Sequence, residues 1–419
     1  MRTASDRKGG MTVKRLIVPC LLLLIFLLFS ACDGDSAAST EPVSEPVSGP
    51  ETTEAPDSSA SPIDTDALAE YVGVWDYPAE NRLLCIEADG SWTMEDFWHG
   101  TPLAGQLELT GDGLCCRASD GTVLSFRASG NAGLTDGSGS ALIRLTETEA
   151  AVRRRTAYAV SFALSVVRQS PHAGGSEGSP YHAPKARFEA LSKAQQAIYD
   201  ELLSRAALME ALVWPADEAE DAAKAGAALL EDYPEYRLYL QLVPGRDGSL
   251  KTVYRLPGGV QQSDGSEPDQ IRAELAIFDA VCDEVISHLP ADASVYDQYR
   301  YLAVYLCAKT EPDTLGLGGT DATSAYGAIE GGWATAEGYA RGFEYLCRRA
   351  NLACEIVTGA LVAADSTQTP HVWNRVEIGS RTRIIDLARI DDGAFTPFDE
   401  DWYEAFWVPE EEAADYQSN

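Results

Sequence analysis

The chain places a histidine and an aspartate in two short apolar runs, His371 in "HVWNRVEI" and Asp386 in "TRIIDLA". Both runs predict β-strands, and on antiparallel neighbours the two side chains could face each other. A carboxylate that orients an imidazole makes the histidine a general base, which can deprotonate a nucleophile and later protonate a leaving amine. The pair therefore predicts acyl-transfer or hydrolytic chemistry wherever a nucleophile lies within its reach.

A predicted helix start upstream is the place for that nucleophile. The segment "TAEGYARGFEYLCRRA" predicts a helix because Ala336, Ala340, Phe343 and Cys347 recur at helical spacing. The free amides and the dipole at a helix start lower the pKa of a thiol and can hold an oxyanion. The glycine-rich "GAIEGG" before it predicts a flexible approach. The residue at the helix start is Ala336, so the sequence lacks the thiol that this chemistry needs.

The order of these segments resembles the transglutaminase-like superfamily, the papain-related hydrolases and acyl transferases. In the family pattern a cysteine directly precedes "EGYA", and a "HAWN"-like strand histidine and a strand aspartate follow. The residues that match this pattern are Glu337, Gly338, Tyr339, Ala340, His371, Trp373, Asn374 and Asp386. Ala336 occupies the cysteine position. The resemblance covers roughly residues 186 to 410 and implies an α+β core with a helix packed on an antiparallel sheet. It also implies that His371 and Asp386 are a remnant catalytic dyad.

Three residues could in principle replace the missing thiol. Cys347 lies eleven residues along the predicted helix, which is about 16 Å from its start. Cys354 begins the next predicted strand and is expected in the core. Thr335 is adjacent but points about 100° away, and a threonine hydroxyl is a poor nucleophile without a close base.

Four residues near these segments could bind a ligand. An exposed Trp333 would form a wall for a peptide, whereas a buried Trp333 would plug the empty site. Tyr326 could add a hydroxyl to an oxyanion site. Trp373 and Asn374 are candidate binding residues, with packing around the site as their alternative role.

Three functions remain open at this point. The first is a protein without catalytic activity that binds a peptide, an envelope protein or a cell-wall ligand in the former active-site cleft. The second is an active hydrolase or acyl transferase that uses His371, Asp386 and another nucleophile or a held water. The third is a purely structural surface module, in which the histidine only bonds the aspartate and ties two strands together. None of the three calls for a cofactor or a metal.

The first 31 residues read as an export signal rather than as part of the fold. A basic start, an apolar run from Leu16 to Phe29 and the "FSAC" segment ending at Cys32 are typical of a bacterial lipoprotein signal. Cys32 is thus a predicted lipidation site that holds the protein on the extracytoplasmic side of the cell membrane; an uncleaved N-terminal anchor is the alternative. Residues 32–63 form a predicted disordered, acidic tether rich in Pro, Ser and Thr.

The formal net charge of −33 excludes a nucleic-acid partner, because such a surface repels phosphates. From Asp391 to Asn419 there are ten acidic residues and no Lys or Arg, which favours a solvated acidic tail. Seven cysteines follow the lipidation site, an odd number, and several lie in apolar runs. Buried reduced thiols are therefore at least as well supported as disulfides.

The remaining organisation follows from composition and pattern. Residues 64–150 predict a small antiparallel β domain with a lipocalin-like character, built on "ADG" and "SDG" turns. Its Trp75, Trp92 and Trp98 either fill the core or line a cleft. Residues 151–185 predict a linker or last strand, although "TAYAVSFALSVV" also fits a packed helix. Residues 186–290 predict a helical forepart, and residues 291–419 the transglutaminase-like core with its acidic tail. The fold class is therefore α+β.

Overall fold

The computed structural model describes residues 65–418, apart from 98–100, 112, 130–132, 170–186, 257–266, 291, 317, 320 and 392–405. Helices and sheets both contribute to the described part, which confirms the predicted α+β class. The predicted export signal, Cys32, the acidic tether and Trp98 lie outside the described residues. No helix in the described part has the length and apolar character needed to cross a membrane.

Eight antiparallel strands form a closed barrel in chain order, because the eighth strand pairs with both the seventh and the first. The sharp turns fall on Gly90 and Gly121, whose φ values of 80° and 91° are the positive values predicted for the "ADG" and "SDG" turns. Trp75 and Trp92 are fully buried inside. They therefore fill the core, as an eight-stranded barrel allows. The strands are β1 Gly73–Tyr77, β2 Arg82–Ile86, β3 Ser91–Asp96, β4 Leu103–Thr110, β5 Gly113–Ala118, β6 Val123–Ser129, β7 Gly133–Thr135 and β8 Ala141–Leu145, and the short helix α1 Thr65–Leu68 precedes them.

The segment after the barrel corrects a sequence prediction. Residues 151–169 are neither a linker nor a last strand but most of a 23-residue helix, α2 Glu147–Gln169. Ala157 on this helix packs against Leu83 and Phe97 of the barrel. Its other side lies in the main core, so the helix is buried on opposite faces. Such a helix shows no single apolar stripe, and this is why periodicity could not identify it.

The region after α2 alternates helices with short strands. Ser192 and Gln195 form a capping box at the first helix of this region. The "GRDG" turn closes a hairpin in which Leu240 pairs with Tyr254. The elements are α3 Lys193–Ala206, β9 Val213–Trp214, α4 Ala219–Asp232, β10 Leu240–Pro244, β11 Leu250–Tyr254, α5 Pro268–Ser287, α6 Val295–Lys309 and β12 Glu311–Pro312.

The last region packs one helix on a five-stranded antiparallel sheet with the strand order β17-β16-β15-β14-β18. The acidic tail is not only a solvated face, because its two short strands form both edges of this sheet and Phe406 is fully buried. The elements are β13 Trp333–Ala334, α7 Ala336–Arg349, β14 Glu355–Val362, β15 Gln368–Ile378, β16 Arg381–Ile385, α8 Leu387–Ile390, β17 Val408–Pro409 and β18 Tyr416–Ser418.

A largely buried arginine joins the barrel to the helices. Arg153 on α2 donates to Asp76 Oδ1 at 3.1 Å and to Asn81 Oδ1 at 2.7 Å, both in the barrel region. It also pairs with Glu284 on α5. Burial raises the pKa of Glu284 to about 7 despite this guanidinium. Arg153 therefore compensates the buried negative charge of two carboxylates that belong to separate elements.

We predict that Arg153→Ala lowers the free energy of unfolding at pH 8 by about 3–5 kcal/mol, because Asp76 and Glu284 lose the partner of their buried charges. Urea unfolding measures this. Arg272→Ala is the control, because its pair with Asp269 is exposed and should contribute less than about 1 kcal/mol. Equal losses in the two variants would contradict the role assigned to Arg153.

Candidate functional site

Helix α7 begins at the predicted position. Thr335 is its N-cap, and the Thr335 hydroxyl accepts a hydrogen bond from Gly338 N at 3.4 Å and donates to Ala322 O at 3.2 Å. Ala336 is half-buried at the first helical position. The threonine hydroxyl is therefore committed to capping, which removes it as a substitute nucleophile.

The glycines around the helix start serve close packing. A Cβ on Gly338 would overlap Ala322 O, and a Cβ on Gly327 would overlap Asp321 O. The predicted flexible approach is instead a π-helix, Gly327–Gly331, which ends at Gly332 with φ 78°. These glycines let the preceding loop lie directly against the first turn of α7.

His371 and Asp386 come together as the sequence predicts. His371 Nε2 donates to Asp386 Oδ2 at 2.8 Å, and the two side chains are 13% and 1% exposed. The aspartate follows β16 directly and caps α8, where its Oδ1 accepts from Arg389 N at 3.2 Å. Among the described residues, none hydrogen bonds to His371 Nδ1. The pair thus has one ring nitrogen fixed and one left for another group.

Tyr416 completes this pair, a role that was not predicted from the sequence. Its hydroxyl donates to Asp386 Oδ2 at 3.0 Å, the oxygen that also binds His371. Its ring meets Trp373 edge-on, with centroids 5.0 Å apart. Burial, followed by the charge of Asp386, raises the pKa of Tyr416, so the phenol stays a donor. Tyr416 lies in the acidic tail, where no local pattern distinguishes it.

The four residues predicted to bind a ligand differ in their exposure and in their hydrogen-bond partners. Trp333 is exposed at 37%, so the indole is available to a ligand. Trp373 is buried and stacks near His371 with centroids 6.3 Å apart, so it is not a binding surface. Asn374 is also buried, and its Nδ2 donates to Ala340 O at 2.9 Å. The Tyr326 hydroxyl donates to Glu274 Oε1 at 2.6 Å, so it is turned towards α5 and away from the predicted oxyanion role.

The alternative thiols are buried. Cys347 and Cys354 both lie in the core, and Asn374 Nδ2 approaches Cys354 Sγ at 3.4 Å. Burial raises the pKa of Cys354 well above the usual thiol value, which keeps it protonated. The seven cysteines of the described part are all free thiols. Within that part no three His, Cys, Asp or Glu side chains form a metal-binding group.

Helix α7 also presents charged residues to a shallow hollow lined in part by Arg237, Arg341 and Glu344. Arg237 Nη1 lies 3.3 Å from Glu344 Oε2, and Glu344 is almost fully buried. Burial outweighs the arginines and raises the pKa of this carboxyl to about 7. The hollow therefore contains a carboxyl that titrates near neutral pH.

Comparison with known proteins does not assign the chain to a family. No protein-family model matches it, and the search of curated proteins finds no significant match.

Glu344→Gln should change how stability depends on pH. In the folded chain the pKa of Glu344 is about 7, above its ordinary value of 4.5. The contribution of its protonated form to the free energy of unfolding is therefore complete below pH 4.5. That stability is lost as the pH rises through 7. Between pH 5 and pH 8 the free energy of unfolding of the native chain should fall by up to about 3 kcal/mol relative to that of the variant. Urea unfolding across this range measures the difference, with Glu220→Gln at an exposed carboxyl as control. A wild-type–variant difference that does not change with pH would contradict the burial argument.

Proposed function

We propose that this chain is an exported bacterial lipoprotein, anchored through Cys32, whose transglutaminase-like core binds an extended polypeptide or a cell-wall peptide without cleaving it. The binding cleft lies where the start of α7 meets the strand that carries His371. Ala336 carries the proposal, because cleavage of this type needs a nucleophile at that helix start. The barrel ahead of the core is, in this proposal, a lipocalin-like module with a filled interior.

The retained geometry supports this proposal. His371 and Asp386 are 2.8 Å apart, and the Asn374 side chain ties the histidine strand to the second turn of α7. Trp333, three residues before Ala336, keeps its indole exposed. Aromatic side chains of this kind contribute strongly to peptide binding, because they bury a large area at a low cost in conformational entropy.

Binding is favoured over catalysis by a side-chain nucleophile because each of the three side chains that could replace the thiol is either bonded elsewhere or buried. The Thr335 hydroxyl caps α7, and Cys347 and Cys354 are buried in the core. Burial makes both thiols inaccessible, and the raised pKa of Cys354 also keeps that thiol protonated. The native chain should therefore show no turnover of peptide, glutamine–amine or cell-wall substrates.

The decisive experiment is the pH dependence of thiol alkylation in an Ala336→Cys variant, with the native chain as the background control. Lys193→Cys is the matched control, because Lys193 also opens a helix behind a hydroxyl N-cap, Ser192. Among the described residues, no histidine–aspartate pair lies at that helix start. The introduced thiol at position 336 should react with a pKa well below the ordinary value of about 8.5 and below that of the control thiol. Adding His371→Ala should slow the labelling.

Two results would contradict the proposed cleft. Equal labelling profiles at positions 336 and 193 would mean that the helix start alone sets the reactivity. An unchanged profile after His371→Ala would mean that the histidine does not reach the cleft. Turnover by the native chain, lost in His371→Ala, would instead support the enzymatic alternative.

A further inference from the structure

The sheet that carries His371 has a partly covered edge. All eight residues of β14, Glu355–Val362, pair with β15. On the other side only Gly359, Ala360 and Leu361 pair, with the three residues of β18. The described strands leave the outer edge of 355–358 without a strand partner. An edge of this kind presents backbone N–H and C=O groups to an incoming strand.

Outside the three-residue ladder, β18 is held by the Val362 N–Asp415 O backbone hydrogen bond and by the side chain of Tyr416, and its other side-chain interactions lie at the surface. Gln417 and Ser418 are exposed, and Gln417 Oε1 accepts a surface hydrogen bond from Gln368 at 2.9 Å. Asp415, just before the strand, pairs with Arg389 at 3.1 Å, and both side chains are about half exposed. Such surface pairs contribute little to stability. The hold of β18 on the sheet therefore depends on a short ladder and on one aromatic side chain, and short elements of this kind open more readily than the central strands.

The covered edge is shaped for backbone contact. A Cβ on Gly359 would overlap the Gln417 carbonyl oxygen and press on the Trp373 ring. Glycine at this position therefore lets a neighbouring strand approach closely. A larger residue would keep any strand away, whether it belongs to this chain or to another molecule.

The same edge leads to the histidine–aspartate pair. Tyr416, opposite Leu361, places its ring against Trp373 and its hydroxyl on Asp386. The guanidinium of Arg389 lies over this ring, 5.7 Å from its centroid. A strand at this edge therefore places one aromatic side chain against Trp373 and beside Asp386, the carboxylate that orients His371.

We infer that the outer edge of β14 is a docking edge for an extended polypeptide and that strand 416–418 is its exchangeable occupant. An incoming strand that continues past Ser418 would also pair with residues 355–358, which β18 does not reach. Those added backbone hydrogen bonds would let it compete with the tethered strand, whose effective concentration is of the order of millimolar. This inference rests on the proposed peptide-binding function and names its mode: main-chain pairing with an aromatic side chain beside Trp373.

The test uses the full-length chain and fluorescent peptides in an anisotropy titration. One peptide has the sequence of residues 412–418, a second extends it by "TVTV", and a third replaces the two valines of that extension with prolines. Tyr416→Ala removes the internal competitor's ring and should bind the first peptide at least about tenfold more tightly than the native chain. The second peptide should bind more tightly than the first. The third should lose this gain, because proline cannot continue a strand ladder.

Gly359→Ala is the second variant, and it should abolish binding of all three peptides, because its Cβ blocks the edge. Thermal unfolding checks that both variants remain folded, and Tyr416→Phe, which keeps the ring, should bind the peptides nearly as the native chain does.

Equal peptide affinity of the native chain and Tyr416→Ala, or undiminished binding to Gly359→Ala, would overturn the inference. Peptide binding together with ordinary labelling of the Ala336→Cys thiol would reject the proposed cleft alone. No binding of any peptide, together with a lowered pKa of the Ala336→Cys thiol, would reject the docking edge alone.

Discussion

The structure around the candidate site depends on the burial of helix α7 against the sheet. The stripe formed by Ala340, Phe343 and Cys347 is buried, which requires the sheet to approach the helix backbone closely. Asn374 makes that approach specific, because its buried amide donates to Ala340 O at 2.9 Å. A buried amide left without a partner would cost about 1–3 kcal/mol, so strand and helix are fixed in register. The glycine at position 338 lets the preceding loop pack on the same turn.

A second constraint explains why the histidine–aspartate pair is stable with alanine at position 336. Asp386 is almost fully buried, and a buried carboxylate must be hydrogen bonded or neutralised. Three donors meet this need: His371 Nε2, the Tyr416 hydroxyl and Arg389 N. None of these three bonds involves position 336. The pair is therefore stable as a structural unit, and its presence alone does not require catalysis.

The sequence predicted those features whose signal is local. The start of α7, its apolar stripe, the strand that carries His371 and the strand that ends just before Asp386 all follow from nearby residues. Features that arise from distant contacts were wrong or missed. Helix α2 is buried on two sides and so has no stripe to detect. Tyr326 bonds a residue 52 positions away, and Tyr416 reaches Asp386 across 30 positions, so neither partner is visible in sequence.

In the proposed function position 336 and His371 face the same cleft, and cadmium binding by the Ala336→Cys variant measures whether they do. A thiolate and His371 Nδ1, to which no described residue hydrogen bonds, would chelate the ion together at bonding distance, which a single thiolate cannot do. We expect at least about tenfold tighter cadmium binding than in the same variant with His371→Ala added. Equal cadmium affinity in the two proteins would place the histidine out of reach of the helix start and would rule out a shared cleft.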